Sequence, residues 1–358
     1  MMTDQTSLRS TGEPDHHLRI DREWSPFCNI YDMATATYDR DARLSGYRAQ
    51  VVASTCYQEP DGTTLEPLTT FLLRFPRFVL SEFNTHRVFS RNSASSRARS
   101  VSMTLLEVFD APFVPLFTAN QKGMSGRFIE SEQDVQRATE LWVAAARDAV
   151  RSALSLLTGK TYAGLSEDDL RTELSAYHAA YQAGATDDLL NVHKQVVNRL
   201  LEPFMWHEVV VTADEWENFY RLRTDEAADP HIRAVAVLVQ AASQAATPTF
   251  SAHHIPFAQG PDDVSDLEAV RTASVLSAAV AARVSYTDLA GGLEHQAQML
   301  EPNRKLAERL LRMGHMSPFE HVGYAPSLAR ELAGGVDGDY TGNFSTWAQQ
   351  RKVLEVID

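Results

Sequence analysis

The sequence predicts a mixed α/β protein, an α+β arrangement with helices around a modest β-sheet, and three observations carry that expectation. Segments rich in β-branched and aromatic residues alternate with long stretches of helical periodicity. Hydrophobic residues make up 44% of the 358 and charged residues 22%, enough apolar surface for a substantial core and too much for a disordered chain. The longest apolar runs, such as Phe71–Leu73 and Val209–Val211, are far too short to cross a bilayer.

The elements follow in order. The polar start, with His16 and His17, lacks the apolar segment of a signal peptide, so residues 1–40 are expected to be a mobile tail on a cytoplasmic protein. Tyr47 to Tyr57 (YRAQVVASTCY) predicts a strand, and Glu59-Pro60-Asp61-Gly62 a turn. Thr70 to Leu80 (TFLLRFPRFVL) is apolar but interrupted by Pro76, so a strand should run into a helix there. Asn84 to Ser100 (NTHRVFSRNSASSRARS) is the densest polar stretch. Ser131 and Asp134 have capping-box spacing ahead of Val135, Ala138, Trp142, Ala145, Ala149, Ala153 and Leu156, which recur at helical intervals. A second helical region covers Asp168 to Leu201, with Gly184 as its break. Trp206 to Thr212 predicts a strand, followed by a helix through Asn218 and Arg223. Pro248 and Pro256 bracket a loop carrying His253 and His254, expected to touch substrate or cofactor. Helices are expected near Val270–Val280 and at Asn303–Met313, the latter stopped by Gly314. Residues 41–358 are taken as a single domain, with a helical insert at about 101–190.

Charge and cysteine content exclude several functions. A formal net charge of −14 argues against a nucleic-acid surface, which needs excess Lys and Arg to displace counterions, but leaves room for one small anionic ligand. Two cysteines, Cys28 and Cys56, cannot build a disulfide framework or a four-thiolate zinc site. Cys56 has no motif-placed His or Asn partner, so a small buried hydrophobe is expected, and no metal site is predicted. No P-loop and no Gly-x-Gly-x-x-Gly occurs. Ser95-Ser96-Arg97 is the segment best suited to an anion, because hydroxyls, backbone N–H groups and a guanidinium can converge there; the competing reading is a polar loop with solvated arginines.

His86-Arg87 followed at the right distance by Ser95 (THRVFSRNSASSR) resembles the Arg-His-Arg, seven residues, Ser signature of the flavin-dependent thymidylate synthases. Asn218 to Arg223 (NFYRLR) resembles that family's Asn-Phe-x-x-Leu-Arg helix, Ser317 to His321 (SPFEH) its flavin-contacting loop, and Ala281 to Tyr286 (AARVSY) its opening strand. Arg199, four residues before Pro203, stands at the place of a nucleotide-binding Arg. The order is unusual, since AARVSY and SPFEH normally precede the His-Arg signature, so residues 270–358 look like a rearranged segment. Val52 to Tyr57 (VASTCY) is a faint echo of AARVSY, as Phe83 to Arg87 is of Phe344 to Lys352. Within the family the chain resembles the UMP/dUMP C5-methylases of polyoxin-type nucleoside antibiotic pathways.

The resemblance implies reductive C5-methylation of UMP or dUMP with FAD, methylenetetrahydrofolate as carbon donor and NADPH as reductant, in a homotetramer whose sites draw on several subunits. It implies that Ser95, Ser96, Arg97, Arg199 and Glu82 contact the nucleotide, that Arg223 sits over the uracil and favours its N3-deprotonated form, and that His86, Arg87, Val88, Asn92, Asn218 and Ser317 line the flavin. The chain departs from the family pattern at Thr85, Ser93 and Glu82, where Arg, an acidic residue and Gln are usual. Thr212 and Asp214 likewise replace an Asn and an Arg at the flavin, and Gln349 to Lys352 is a candidate replacement. Two other functions stay open: a catalytically weakened paralogue that binds nucleotide or flavin as a regulatory module, and an enzyme acting on uracil in RNA, which the acidic balance disfavours.

Overall fold

The computed structural model describes residues 17–18, 46–123, 126–285 and 300–357. Most of the expected N-terminal tail therefore lies outside the described residues, as does Tyr286. The fold is the expected mixed α/β arrangement. Strand β1 (His17–Leu18) pairs with β2 (Arg48–Gln58), which runs antiparallel to β3 (Thr64–Pro76). Pro76, which cannot donate to a ladder, ends β3, and the chain turns through a 3-10 segment into the short helix α1 (Leu80–Phe83). Next come β4 (Ser90–Ser93), α2 (Val101–Asp110), α3 (Glu132–Thr158), α4 (Glu167–Gln182) and α5 (Lys194–Val197). Strand β5 (Trp206–Ala213) inserts between β3 and β4, giving the order β1-β2-β3-β5-β4 with β6 (Thr249–Phe250) parallel beside β2.

Helices α6 (Glu217–Arg223) and α7 (Pro230–Ala245) precede β6; β7 (His253–His254), α8 (Leu267–Ala281) and α9 (Leu300–Arg312) follow it. The chain closes with β8 (Gly323–Tyr324), α10 (Pro326–Leu332), β9 (Ala348–Gln349) and α11 (Gln350–Ile357). Strands β7, β8 and β9 form a small second sheet. No helix among the described residues is long and apolar enough to cross a membrane.

Both faces of the main sheet are covered, which explains the continuous apolar runs of β3 and β5. Phe71, Leu73 and Phe75 of β3 and Val209, Val211 and Ala213 of β5 pack with Ile232, Val235 and Val239 of α7. The alternate residues Leu72 and Val210 meet Phe257, Val280 and Val284 on the opposite face. Helices α2, α3 and α4 bury their own cluster, including Leu105, Val150, Leu154 and Leu174. The Ser131 hydroxyl accepts from the Asp134 N–H at 3.3 Å and caps α3 as its spacing predicts, and Gly184 adopts φ +69° just after α4.

Three expectations fail here. AARVSY is not a strand: residues 281–285 end α8 and continue as a 3-10 turn, because Val280, Ala281 and Val284 face the sheet at helical rather than alternating spacing. The VASTCY echo is therefore not structural, since Val52 to Tyr57 lies within β2. Cys56 is half-buried rather than buried, lying on the part of β2 that pairs with β6. His253 and His254 form a strand rather than a contact loop, and His254 is completely buried.

Candidate functional site

The predicted site residues gather at the two ends of the β4–β5 ladder. At one end the chain leaves β4, where the Ala94 N–H donates to Glu208 O at 2.8 Å, and forms the Ser95–Arg99 turn. The Ser95 N–H donates to Ser285 Oγ at 2.9 Å, and the Arg97 N–H to Ser95 Oγ at 3.2 Å. Ser96 is buried, and its carbonyl accepts from Asn198 Nδ2 at 2.7 Å. That bond joins the neighbours of Arg97 and Arg199, so it brings the two arginines to one place. Both are exposed, and neither guanidinium has a hydrogen-bond or ion-pair partner among the described residues. Ser95, Ser96, Arg97 and Arg199 thus lie on two adjoining segments.

The other end holds Arg223, at the last turn of α6. Its Nε donates to His86 Nε2 at 2.9 Å, and its Nη2 to Thr85 Oγ1 at 3.0 Å and Glu82 O at 3.4 Å. Because His86 Nε2 accepts, the ring proton sits on Nδ1 and the imidazole is neutral. Burial, reinforced by the charges of Arg223 and then Arg91, holds its pKa down at about 4. Thr85, where the family pattern has an Arg, therefore serves as a hydroxyl acceptor that orients Arg223. Glu82 belongs to this end, not to the Ser95 loop; its carboxylate accepts from Ser81 Oγ at 2.7 Å.

Beside Arg223 opens a cavity of about 880 Å³. His86, Arg87, Val88 and Asn218 line it together with Phe89, Trp216 and Phe219. Phe89 and Trp216 rings lie 4.5 Å apart and His86 stacks on Phe89 at 5.7 Å, giving a largely aromatic wall. Glu66, Asp214, Glu215 and Glu217 line it as well and make it acidic, beside the cations Arg87 and Arg221. Asn92 and Ser317 do not line this cavity. Asn92 is buried in β4, and Ser317 is exposed at the start of the 3-10 turn that carries Glu320.

Several residues that the sequence reading left without a role shape these ends. Asp214 Oδ2 accepts from Ser345 N (2.8 Å) and Oγ (3.0 Å) and from Thr346 N (3.0 Å), fastening the C-terminal arm so that Ser345 lines the cavity. Trp347, fully buried, completes the latch by donating to Glu66 O at 2.7 Å. Of the expected replacements, Gln349 is buried and donates to Ser90 Oγ at 2.9 Å, while Arg351 pairs with Glu320 and Glu355. None of Gln349 to Lys352 lines the cavity.

Thr212 turns inward as well. Thr55 Oγ1, His254, Thr70 Oγ1, Thr212 Oγ1 and His321 Nδ1 form one buried chain with links of 2.8, 2.7, 2.6 and 2.9 Å. Burial first, then neighbouring His charges in the case of His254, keeps both imidazoles down at about 3 and so neutral. The sequence held one usable signal: threonines at Thr70 and Thr212 amid apolar strand residues must find partners once buried.

Residues 30–249 match the family described as thymidylate synthase complementing protein, more than half of the 358-residue chain, and the match ends before AARVSY and SPFEH. A search of curated proteins returns no match. Among solved structures, a UMP/dUMP methylase PolB from Streptomyces cacaoi bound with 5-Br UMP is 18% identical, over 55% of this chain and 88% of that one, with a TM-score of 0.37. The methylase bound with 5-Br dUMP is likewise 18% identical, over 49% and 66%, with a TM-score of 0.32. Those superpositions are too loose to carry any argument about the site. The sequence match alone places the chain in the thymidylate synthase complementing protein family, as a methyltransferase of thymidylate synthase type.

Proposed function

We propose that this methyltransferase carries out reductive C5-methylation of a uracil nucleotide, UMP or dUMP, with FAD bound, methylenetetrahydrofolate as carbon donor and NADPH as reductant. The carrying observation is Arg223, oriented by a neutral His86 and by Thr85, two residues that themselves line an aromatic cavity. Its Nη1 has no hydrogen-bond partner among the described residues. A guanidinium fixed against uracil stabilises negative charge on the base, which raises the electron density at C5 where the new bond forms. At the other end of the ladder, Arg97 and Arg199 beside the Ser95 and Ser96 hydroxyls suit a phosphate.

The cavity fits the apolar ring of a flavin through Phe89, Trp216 and buried His86, an aromatic lining to which Asn218 adds a polar group. The carboxylates of the lining would repel a diphosphate, whose charge would instead be met by Arg87 and Arg221. A bound reduced flavin would supply the hydride. The chain's own share is to orient the base, hold the phosphate and keep water out. Residues 46–357 act in this reading as one catalytic unit, with the 101–190 helices added to it and the 270–358 segment supplying the Ser345 wall.

The β4–β5 ladder, four pairs from Ser90↔Thr212 to Ser93↔Val209, runs about 10 Å at roughly 3.3 Å per residue, with the Ser95 turn and Arg223 beyond its opposite ends. The family reading implies a homotetramer, and in it we place the Ser95 loop of one copy against the Arg223 end of another. The cosubstrates suit a cytoplasmic enzyme. The test is the visible spectrum of the purified protein, then turnover with UMP and dUMP side by side. A flavin spectrum with methylation of UMP supports the antibiotic-type role, and methylation of dUMP alone supports thymidylate supply. A colourless protein that FAD does not reconstitute and that methylates neither nucleotide would overturn the reading.

A further inference from the structure

The Ser95 turn is held by its carbonyls. Arg77 Nη1 donates to Ala94 O at 3.1 Å, Asn198 Nδ2 to Ser96 O at 2.7 Å and to Arg99 O at 3.4 Å, and Lys194 Nζ to Ala98 O at 2.9 Å. The turn's N–H groups are engaged too, Ser95 on Ser285 Oγ, Arg97 on Ser95 Oγ and Ala98 and Arg99 on Ser95 O, so its backbone is fixed on both sides and an anion is left to the Arg97 and Arg199 side chains. Arg77 reaches further. Its Nη1 also donates to His207 Nδ1 at 3.0 Å, and its Nη2 pairs with Glu202 at 3.0 Å. Glu202 opens the 3-10 turn immediately after the one that carries Arg199. One guanidinium thus ties together the exit of β4, the start of β5 and the Arg199 segment.

Its placement is costly enough to need a reason. Arg77 has a side-chain exposure of 15% and follows Pro76 in a mostly apolar run, and a cation so placed needs partners, which its two terminal nitrogens have although its Nε has none among the described residues. Asn198 is fully buried and adjoins Arg199, and its Oδ1 has no hydrogen-bond partner among the described residues, so the amide is used as a donor. Neither side chain lies where a ligand of Arg97 and Arg199 would meet it.

We propose that Arg77 and Asn198 are positioning residues that set the Ser95–Arg97 turn and Arg199 into one phosphate-holding half-site. The inference rests on the nucleotide reading above and deepens it. It concerns the phosphate end of the substrate, and so predicts an effect on nucleotide affinity that leaves the flavin end untouched.

The experiment is calorimetric titration of UMP and dUMP into the full chain as wild type, Arg77→Met and Asn198→Asp, with flavin content, KM and kcat measured on the same samples. Asn198→Asp is close to isosteric and sets a carboxylate oxygen against two carbonyls. Each variant should weaken nucleotide binding about tenfold or more, the size of a lost charge-assisted or buried hydrogen bond. The rise should appear in Kd and KM rather than in kcat, with bound flavin retained. Lys194→Met, at a half-exposed position that tolerates replacement, should give a smaller rise of about threefold and serves if the buried variants do not fold. Unchanged nucleotide affinity in the folded variants overturns the proposal, and so does parallel loss of nucleotide and flavin, which would mark general packing. A wild-type protein that binds neither nucleotide sinks the substrate reading itself; binding kept by wild type and variants alike sinks this inference alone.

Discussion

The two ends of the β4–β5 ladder are built in opposite ways. At the Ser95 end the backbone is fixed and two side chains are left unengaged: carbonyls are clamped by Arg77, Asn198 and Lys194, while Arg97 and Arg199 stay exposed. At the Arg223 end the side chain itself is fixed, by His86 and Thr85, beside an aromatic cavity. A group that holds a mobile phosphate gains from reach, whereas a group that must stabilise developing charge gains from being oriented in advance. In the proposed function, binding falls to the first end and chemistry to the second.

That division can be broken by mutation. Arg223→Ala should have the largest effect, a loss of kcat of about a hundredfold or more with flavin retained, as for removal of a pre-oriented charge-stabilising donor. Steady-state kinetics and the flavin spectrum check it; a variant with normal kcat would remove Arg223 from the chemistry. Arg97→Ala should act on the other parameter, raising the nucleotide KM by about ten- to a hundredfold with little change in kcat, the worth of a hydrogen bond to a charged group. An effect mainly on kcat would erase the distinction between the ends.

Stability measurements sharpen it further. Asp214→Ala releases the Ser345–Thr346 arm at the cavity end by removing the acceptor of its part-buried N–H donors, a cost of about 1 kcal/mol. Urea unfolding should show that loss together with weaker flavin binding, while the Ser95 end keeps its nucleotide affinity. Stability also depends on pH. His86 is held at about 4, and His207, His254 and His321 at about 3, all below the ordinary 6.5. Between 6.5 and those values the unfolded chain binds more protons than the folded one, so stability rises with pH there and falls on acidification. The melting temperature should be flat near neutrality and drop progressively below about pH 6.5; a drop beginning only below about pH 4 would show that these imidazoles are not held neutral.

The sequence carried the sheet's central strands and most long helices, because apolar runs and capping residues act locally: Trp206–Thr212 and the Ser131 cap are examples. It also carried the signature residues, though not their division between two ends. Strand β4 was illegible because Ser90 and Asn92 are polar yet buried, and their edge position is made tolerable by Gln349, far along the chain. AARVSY misled because β-branched residues predict a strand, whereas packing against the sheet at helical spacing prevailed. Arg77 carried a readable signal, a lone cation after Pro76 in an apolar run, but its partners Ala94, Glu202 and His207 come from three later segments.

The central claim is that these ends are two halves of one site supplied by different copies of the chain. It is tested most directly by co-expressing Arg97→Ala with Arg223→Ala and assaying the purified mixed oligomers. Each variant alone is impaired in its own half. Mixed oligomers contain interfaces where an intact Ser95 loop meets an intact Arg223 end, so turnover at low nucleotide concentration should rise well above that of either parent. Mixed oligomers no more active than the parents would contradict it and place both halves of the site within a single chain.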